Sequence, residues 1–179
     1  MQTIQPQPSP AIAGYRLSPQ QQRLWRLQQR YPNQPFRAVL RLRSQAPWES
    51  VRLKSALQAL IDRHELLRTT FPTLPGMTMP LQVIAETLPV ETVLSQHDWS
   101  AMPLEEAASK LNHLLEQPFD WAQGPLLRSH WLRQATHDEL LLSLPALCAD
   151  GATLTLLAQD LQRFYADNSQ PDGEPPLQY

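Results

Sequence analysis

Residues 144–154 read LPALCADGATL: the apolar strand ELLLSLPAL gives way to a short loop, an Asp-Gly pair and an amphipathic helix. Such a strand end is a favoured place to present a reacting side chain. Here the strand closes on Pro145 and Ala146. Neither can give or take a proton, so acid–base chemistry is excluded at those two positions. The loop's one nucleophile is Cys148. A thiol becomes reactive beside a cation or a helix N-terminus, and a helix starts close by. A lone buried cysteine nevertheless reads first as a small hydrophobe.

The other titratable groups point to structure rather than chemistry. His64 stands in RHELLRTTF, where Arg63 and Glu65 suggest a polar network at a helix-to-strand junction. His130 lies on a predicted hairpin. His137, next to Asp138 in its turn, reads as solvated, and His97 falls in a loop before Asp98 and Trp99. The five histidines show no ligand spacing of the H-E-x-x-H kind, so no metal is expected. Trp25 and Trp131 sit on regular elements and are candidates for the core. Trp48 and Trp121 flank helices or loops, where they either pack locally or mark an interface. Arg37, Arg41 and Arg43 alternate along one strand face, either as a solvated, aggregation-resistant edge or as a contact for an acidic partner.

The elements that must position these residues can be read from periodicity. Ser18, Pro19 and Gln21 form a capping-box start to a helix whose Leu24, Trp25 and Leu27 can share a buried side. Residues 36–44, FRAVLRLRS, alternate as a strand with one wet face. Residues 48–63 place Leu53, Ala56, Leu57, Leu60 and Ile61 on one helical stripe. RHELLRTTF then changes to an extended period, residues 72–80 are a loop, and LQVIAE (81–86) is a short strand. A helix from about Pro103 to Gln117 aligns Leu104, Ala107, Ala108, Leu111, Leu114 and Leu115. PLLRSHWLRQ and DELLLSLPA flank ATHD as a hairpin. The last helix starts after Asp150-Gly151 and places Leu154, Leu157, Leu161 and Phe164 inside. Interleaved helices and strands indicate an α/β two-layer sandwich.

The bulk numbers exclude several classes. The 179 residues suit one domain or one lobe of a larger one. A net charge of −2 gives no basic excess for nucleic acid and no polybasic membrane patch. No apolar run is long enough to span a bilayer, and the N-terminus lacks a secretory signal. One cysteine excludes an internal disulfide. The expectation is a soluble cytoplasmic protein. Eighteen prolines against five glycines punctuate the periodic segments. Residues 1–14, rich in Gln and Pro, read as a flexible leader ahead of a lobe over 15–179. NSQPDGEPPLQY reads as an exposed connection, suggesting a chain cut from something longer.

In this order, LSPQQQRLW, RHELLRTTF, PFDWAQGPLLR and LCADG before a helix resemble the N-terminal lobe of a bacterial nonribosomal peptide synthetase condensation domain. The resemblance covers residues 15–179 and implies one lobe of the chloramphenicol-acetyltransferase-like condensation fold, whose two similar lobes enclose a tunnel. In active members a His-His pair, three residues and Asp-Gly end a central strand, and the second His assists amine attack on a carrier-bound acyl group. By that resemblance Asp150 and Gly151 match the end of the signature, while Pro145 and Ala146 occupy the His-His positions. No catalytic residue is therefore carried over.

The resemblance further implies that Asp150 pairs with an arginine, for which Arg68 is the candidate, and that Gly151 lets the backbone turn into the helix. Asp150, Gly151, Arg68, Arg63, His64 and Glu65 form the expected structural motif. No cofactor is expected on the lobe itself, and phosphopantetheine would arrive only on a carrier partner. Three functions remain open: a truncated, noncatalytic lobe docking a neighbouring adenylation or carrier domain; half of a full condensation domain catalysing peptide bond formation; and a free-standing adaptor binding a synthetase in trans.

Overall fold

The computed structural model describes residues 14–32, 34, 36–44 and 46–167. Most of the proposed leader, the connection NSQPDGEPPLQY and any boundary drawn in them lie outside the described residues.

Strand β1 (Tyr15–Arg16) leads into helix α1 (Pro19–Arg30). The capping box forms as read: Ser18 Oγ accepts from the Gln21 N–H at 3.3 Å, and Gln21 Oε1 accepts from the Ser18 N–H at 2.9 Å. Strand β2 (Arg37–Ser44) and helix α2 (Ser50–Arg63) follow. A 3-10 turn at Glu65–Arg68 joins α2 to strand β3 (Thr69–Thr70), which pairs with β4 (Leu81–Ile84). Strand β5 (Leu94–Asp98), helix α3 (Leu104–Glu116), the hairpin β6 (Arg128–Arg133) and β7 (Asp138–Pro145), and helix α4 (Gly151–Asp167) complete the order.

The main sheet runs β2-β7-β6-β5, antiparallel except for the parallel β5–β6 pair, and β1-β4-β3 form a small second sheet. All eight residues of β7 are buried, as its near-continuous apolar run requires of a central strand. Leu140, Leu142 and Leu144 face α2 and α4, whose Leu57, Leu60, Ile61 and Leu157 are fully enclosed. Each such side chain contributes about 1.5–3 kcal/mol by leaving water. The opposite face, with Leu132 and Leu141, meets Trp99 and helix α3.

Three element readings change. On α1, Leu24 and Trp25 pack against Leu17 and Phe71, but Leu27 is 36% exposed and does not share their buried side. His97 lies in strand β5 rather than in a loop. Leu94, Ser95, Gln96, His97 and Asp98 show no apolar alternation, but the neighbouring β6 supplies their ladder. Helix α3 has the expected span, yet none of its residues is fully buried, Leu104 is 83% exposed and Ala108 is exposed. Of its apolar stripe, Ala107, Leu111 and Leu114 rest on the Trp99 cluster.

Candidate functional site

The end of β7 is built by pairing with β2. Arg37 lies opposite Pro145, and the Ala146 N–H donates to the Phe36 carbonyl at 2.8 Å. The chain then turns, with the Cys148 N–H donating to the Pro145 carbonyl at 2.9 Å, and enters α4. Asp150 caps that helix. Its Oδ1 accepts from the Thr153 N–H at 2.9 Å and from the Thr153 hydroxyl at 2.8 Å. These hydrogen bonds, backbone first, hold the Asp150 carboxyl below its ordinary range.

The expected Asp150–Arg68 pair does not form. The Arg68 guanidinium donates to the Ala85 carbonyl and stands 3.8 Å from Glu65, while the Arg68 carbonyl accepts from the Ala85 N–H at 2.9 Å. Arg68 is thereby tied to the end of β4, and Asp150 satisfies itself within its own first helical turn. Gly151 is also not required by the turn. It has no positive φ, and a Cβ there would meet nothing within 4 Å. Glycine is demanded elsewhere, at Gly76 with a φ of +81° and, more tightly, at Gly124 in PFDWAQGPLLR. Its φ is +67°, and a Cβ would come within 2.8 Å of Thr70 Cγ2.

A shallow cleft lies between the N-terminus of α1 and this loop, with Gln20, Gln21, Ala146, Cys148 and Asp150 on its walls. Cys148 also borders an adjoining pocket with Glu65, Phe71 and Gln82. Gln21 is committed, since its Nε2 donates to Gln82 Oε1 at 3.2 Å. Burial pushes the Cys148 thiol up to about 12, so the nearby helix start does not make it a thiolate. Ala146 reaches the cleft with a methyl group alone. The cleft keeps the shape of a strand-end site without a side chain suited to moving a proton near neutrality.

RHELLRTTF braces the helix that leaves this site. His64 Nε2 lies 2.8 Å from Asp160 Oδ2 on α4, and Arg63 Nε donates to the same oxygen at 3.3 Å. Burial lowers the His64 pKa despite the neighbouring carboxylate. Glu65 accepts from Thr69 Oγ1 through its carbonyl at 2.8 Å. Arg63, His64 and Glu65 thus serve the frame, with Asp160 as a partner the sequence reading missed. The available signal was an acid placed between the core positions Leu157 and Leu161.

Other polar groups also departed from expectation. His137 is not solvated. Its side chain is 14% exposed, and Nε2 stands 3.1 Å from Glu139 Oε1. Arg41 and Arg43 neither sit on a purely wet face nor wait for a partner, because both donate to Glu139, whose side chain is 1% exposed. The glutamate was missed because it sits in an otherwise apolar strand. Arg37 and Arg128 both lie over the Phe119 ring, at 5.5 and 4.4 Å from its centroid, and both donate to the Gln117 carbonyl. Trp121 packs edge-on against Trp25 at 5.6 Å and its carbonyl accepts from the Phe71 N–H, which is local packing. Trp48 packs on the main core, and its N–H donates to Asp138. Among the described residues no three His, Cys, Asp or Glu side chains gather as metal ligands, and no helix is long and apolar enough to cross a membrane.

Residues 12–179 match the family model described as Condensation domain. The AMB antimetabolite synthetase AmbE of Pseudomonas aeruginosa is 34% identical over 160 residues, covering 86% of this chain and 7% of that protein. Phosphinothricin tripeptide synthetase PhsC of Streptomyces viridochromogenes is 36% identical over 187 residues, covering 96% of this chain and 17% of that protein. The chain therefore spans less than a fifth of either relative. The X-domain from teicoplanin biosynthesis shares the fold, with a TM-score of 0.77 at 24% identity over 99% of this chain and 38% of its own. The same X-domain in complex with OxyB matches with a TM-score of 0.77 at 22% identity.

Proposed function

This chain belongs to the condensation-domain family, and from that premise we propose that it is a noncatalytic condensation-type lobe of a nonribosomal peptide synthetase. Its role is to dock a neighbouring adenylation or carrier domain. The observation that carries this reading is the end of β7. Where the family's signature places two histidines, Pro145 and Ala146 stand, and the adjoining cleft offers a thiol held near 12 and a carboxyl held low. Neither can shuttle a proton at neutral pH.

The framework around the absent chemistry is retained. The Ser18 capping box, the His64–Asp160 brace and the Gly124 turn are all in place. A fold kept while its proton-transfer group is lost favours a role through surfaces. That a domain of this fold forms a complex with OxyB gives the role a precedent of architecture. Phosphopantetheine would reach the lobe only on a carrier partner.

The competing reading is the first part of a complete, active condensation domain. It rests on the 38% of a solved domain that this chain covers. One assay separates them. Condensation between loaded carrier proteins is measured in the intact native polypeptide, with and without Pro145→His and Ala146→His together. The docking reading expects no condensation by the wild type. Condensation by the wild type would sink it and require chemistry supplied from outside these residues.

A further inference from the structure

A second cavity opens at the end of the main sheet far from Pro145 and Ala146. It encloses about 200 Å³ and is lined by Gln96, His97 and Asp98 of β5 and by Trp131 and Arg133 of β6. The parallel register sets Gln96 beside Trp131 and Asp98 beside Arg133. Residues alternate between the faces of a strand, so these four side chains share one face of the sheet. Arg133 lies opposite Asp138, the first residue of β7, which puts the length of the hairpin between this cavity and the strand-end cleft.

Asp98 and Arg133 carry opposite charges on neighbouring strands, yet they form no ion pair. Each is held by another neighbour. Asp98 Oδ1 accepts from the Ser100 N–H at 3.0 Å and from the Ser100 hydroxyl at 2.6 Å. The Arg133 guanidinium lies over the Trp131 ring, 5.5 Å from its centroid. The Ser100 hydrogen bonds, and after them the Arg133 charge, hold the Asp98 carboxyl below its ordinary range, so the two charges act on each other across the gap. Among the described residues, Asp98 Oδ2, the Arg133 guanidinium and the Gln96 side-chain amide have no hydrogen-bond partner.

Opposite charges fixed apart around a cavity suit a ligand that carries both signs. A lone anion on Arg133 would also face Asp98, and a lone cation on Asp98 would face Arg133, so either half alone meets a repulsion that a zwitterion turns into attraction. The guanidinium fork takes a carboxylate by two parallel hydrogen bonds, and a carboxylate takes an ammonium. The Gln96 amide can serve either group. Trp131 adds apolar surface, and the volume limits the ligand to a small one.

We propose that this cavity binds a small free α-amino acid as its zwitterion, with the carboxylate on Arg133 and the ammonium on Asp98 Oδ2. The ligand bridges β5, an edge strand, to β6 and so staples the edge of the main sheet. The site is separate from the strand-end cleft, and the proposal holds whether or not the docking reading does.

The test uses the intact polypeptide that carries this chain. Backbone hydrogen exchange is followed by mass spectrometry on peptides covering residues 94–98 and 128–133, with L-alanine as the probe. A bridging ligand must leave before the edge opens, so exchange there should slow about tenfold at about ten times the half-saturating concentration. Acetate and ethylamine, each carrying one of the two charges, should slow it less than ~2-fold at the same concentration. Asp98→Asn and Arg133→Gln should each raise the half-saturating concentration of L-alanine at least ~10-fold. Arg133→Lys keeps the charge and loses the fork, so its rise should be smaller. All three replace exposed side chains, and unchanged circular dichroism checks the fold.

No slowing in these two strands overturns the proposal. So does slowing that is indifferent to all three substitutions, or slowing by acetate or ethylamine equal to that by L-alanine. Condensation by the wild type would remove the docking reading and leave this site untouched, because the substitutions lie a hairpin's length from Ala146.

Discussion

His64 Nε2 stands 2.8 Å from Asp160 Oδ2, joining the end of α2 to the middle of α4 across 96 residues of sequence. Arg63 donates to the same oxygen, so one carboxylate answers two donors in a largely enclosed place. Asp160→Ala should destabilise the lobe by about 2–3 kcal/mol, since a buried imidazole and a guanidinium lose their acceptor together. Asp160→Asn should cost less. Urea unfolding of the three proteins checks this, and equal midpoints would show that the brace carries no load.

Asp150 acts as a helix cap and not as half of an ion pair. Asp150→Ala should cost about 1 kcal/mol, the usual loss of an N-cap acceptor, and Asp150→Ser should recover most of it. A double-mutant cycle with Arg68→Ala should give a coupling energy within about 0.5 kcal/mol of zero, as for independent sites. Strong coupling would restore the Asp150–Arg68 pair implied by resemblance.

Glu139 presents the opposite balance, a buried acid held by exposed bases. Its side chain is 1% exposed, while those of Arg41 and Arg43 are 51% and 61% exposed. Removing the acid lets both guanidiniums rehydrate, so the penalty stays below that of a fully buried broken pair. Glu139→Ala should therefore cost about 1–3 kcal/mol, and Glu139→Gln less, read from denaturant midpoints.

What was legible in the sequence was what is local. The capping box on Ser18 and the five-residue stripe from Leu53 to Ile61 are set by spacings of three and four residues, and both formed as read. The β6–β7 hairpin declared itself through two apolar runs around a short turn. Asp160 and Glu139 were missed as partners because their bonds close across 96 to 98 residues. Strand β5 was missed because its ladder comes from β6 and not from its own pattern. At the candidate site, Pro145 and Ala146 were plain from residue identity as groups that cannot move a proton. The separation of Arg68 from Asp150 was not, because it depends on where β4 ends.

Stability should fall with acid in a defined window. Burial lowers the pKa of His64 and His97, and takes His130 to about 4; His97 Nε2 is 3.3 Å from His130 Nδ1. With depressed folded values, the unfolded chain binds more protons below about 6.5, so stability declines as pH falls through 6.5 toward 4. His130 alone should account for a loss on the order of 2 kcal/mol across that window. Glu139, whose own pKa is lowered, adds its loss only below its ordinary value of 4.5. Chemical unfolding at pH 7 and pH 5 should show the decline, and His130→Gln should flatten it. A wild-type profile flat between those values would contradict the burial of these rings.

Cys148 offers the most direct test of the proposed noncatalytic reading of the strand end. With its thiol near 12, the thiolate fraction at pH 8 is about 10⁻⁴, against about a quarter for an unperturbed cysteine. Alkylation of the native protein by iodoacetamide should thus run about three orders of magnitude slower than that of free cysteine. It should become ordinary in denaturant. Cys148→Ala should leave partner binding unchanged, because the residue's contacts are packing against the α1 and main-core clusters. Rapid alkylation of the folded chain at neutral pH would identify an activated thiol beside Ala146 and return the site to the catalytic reading.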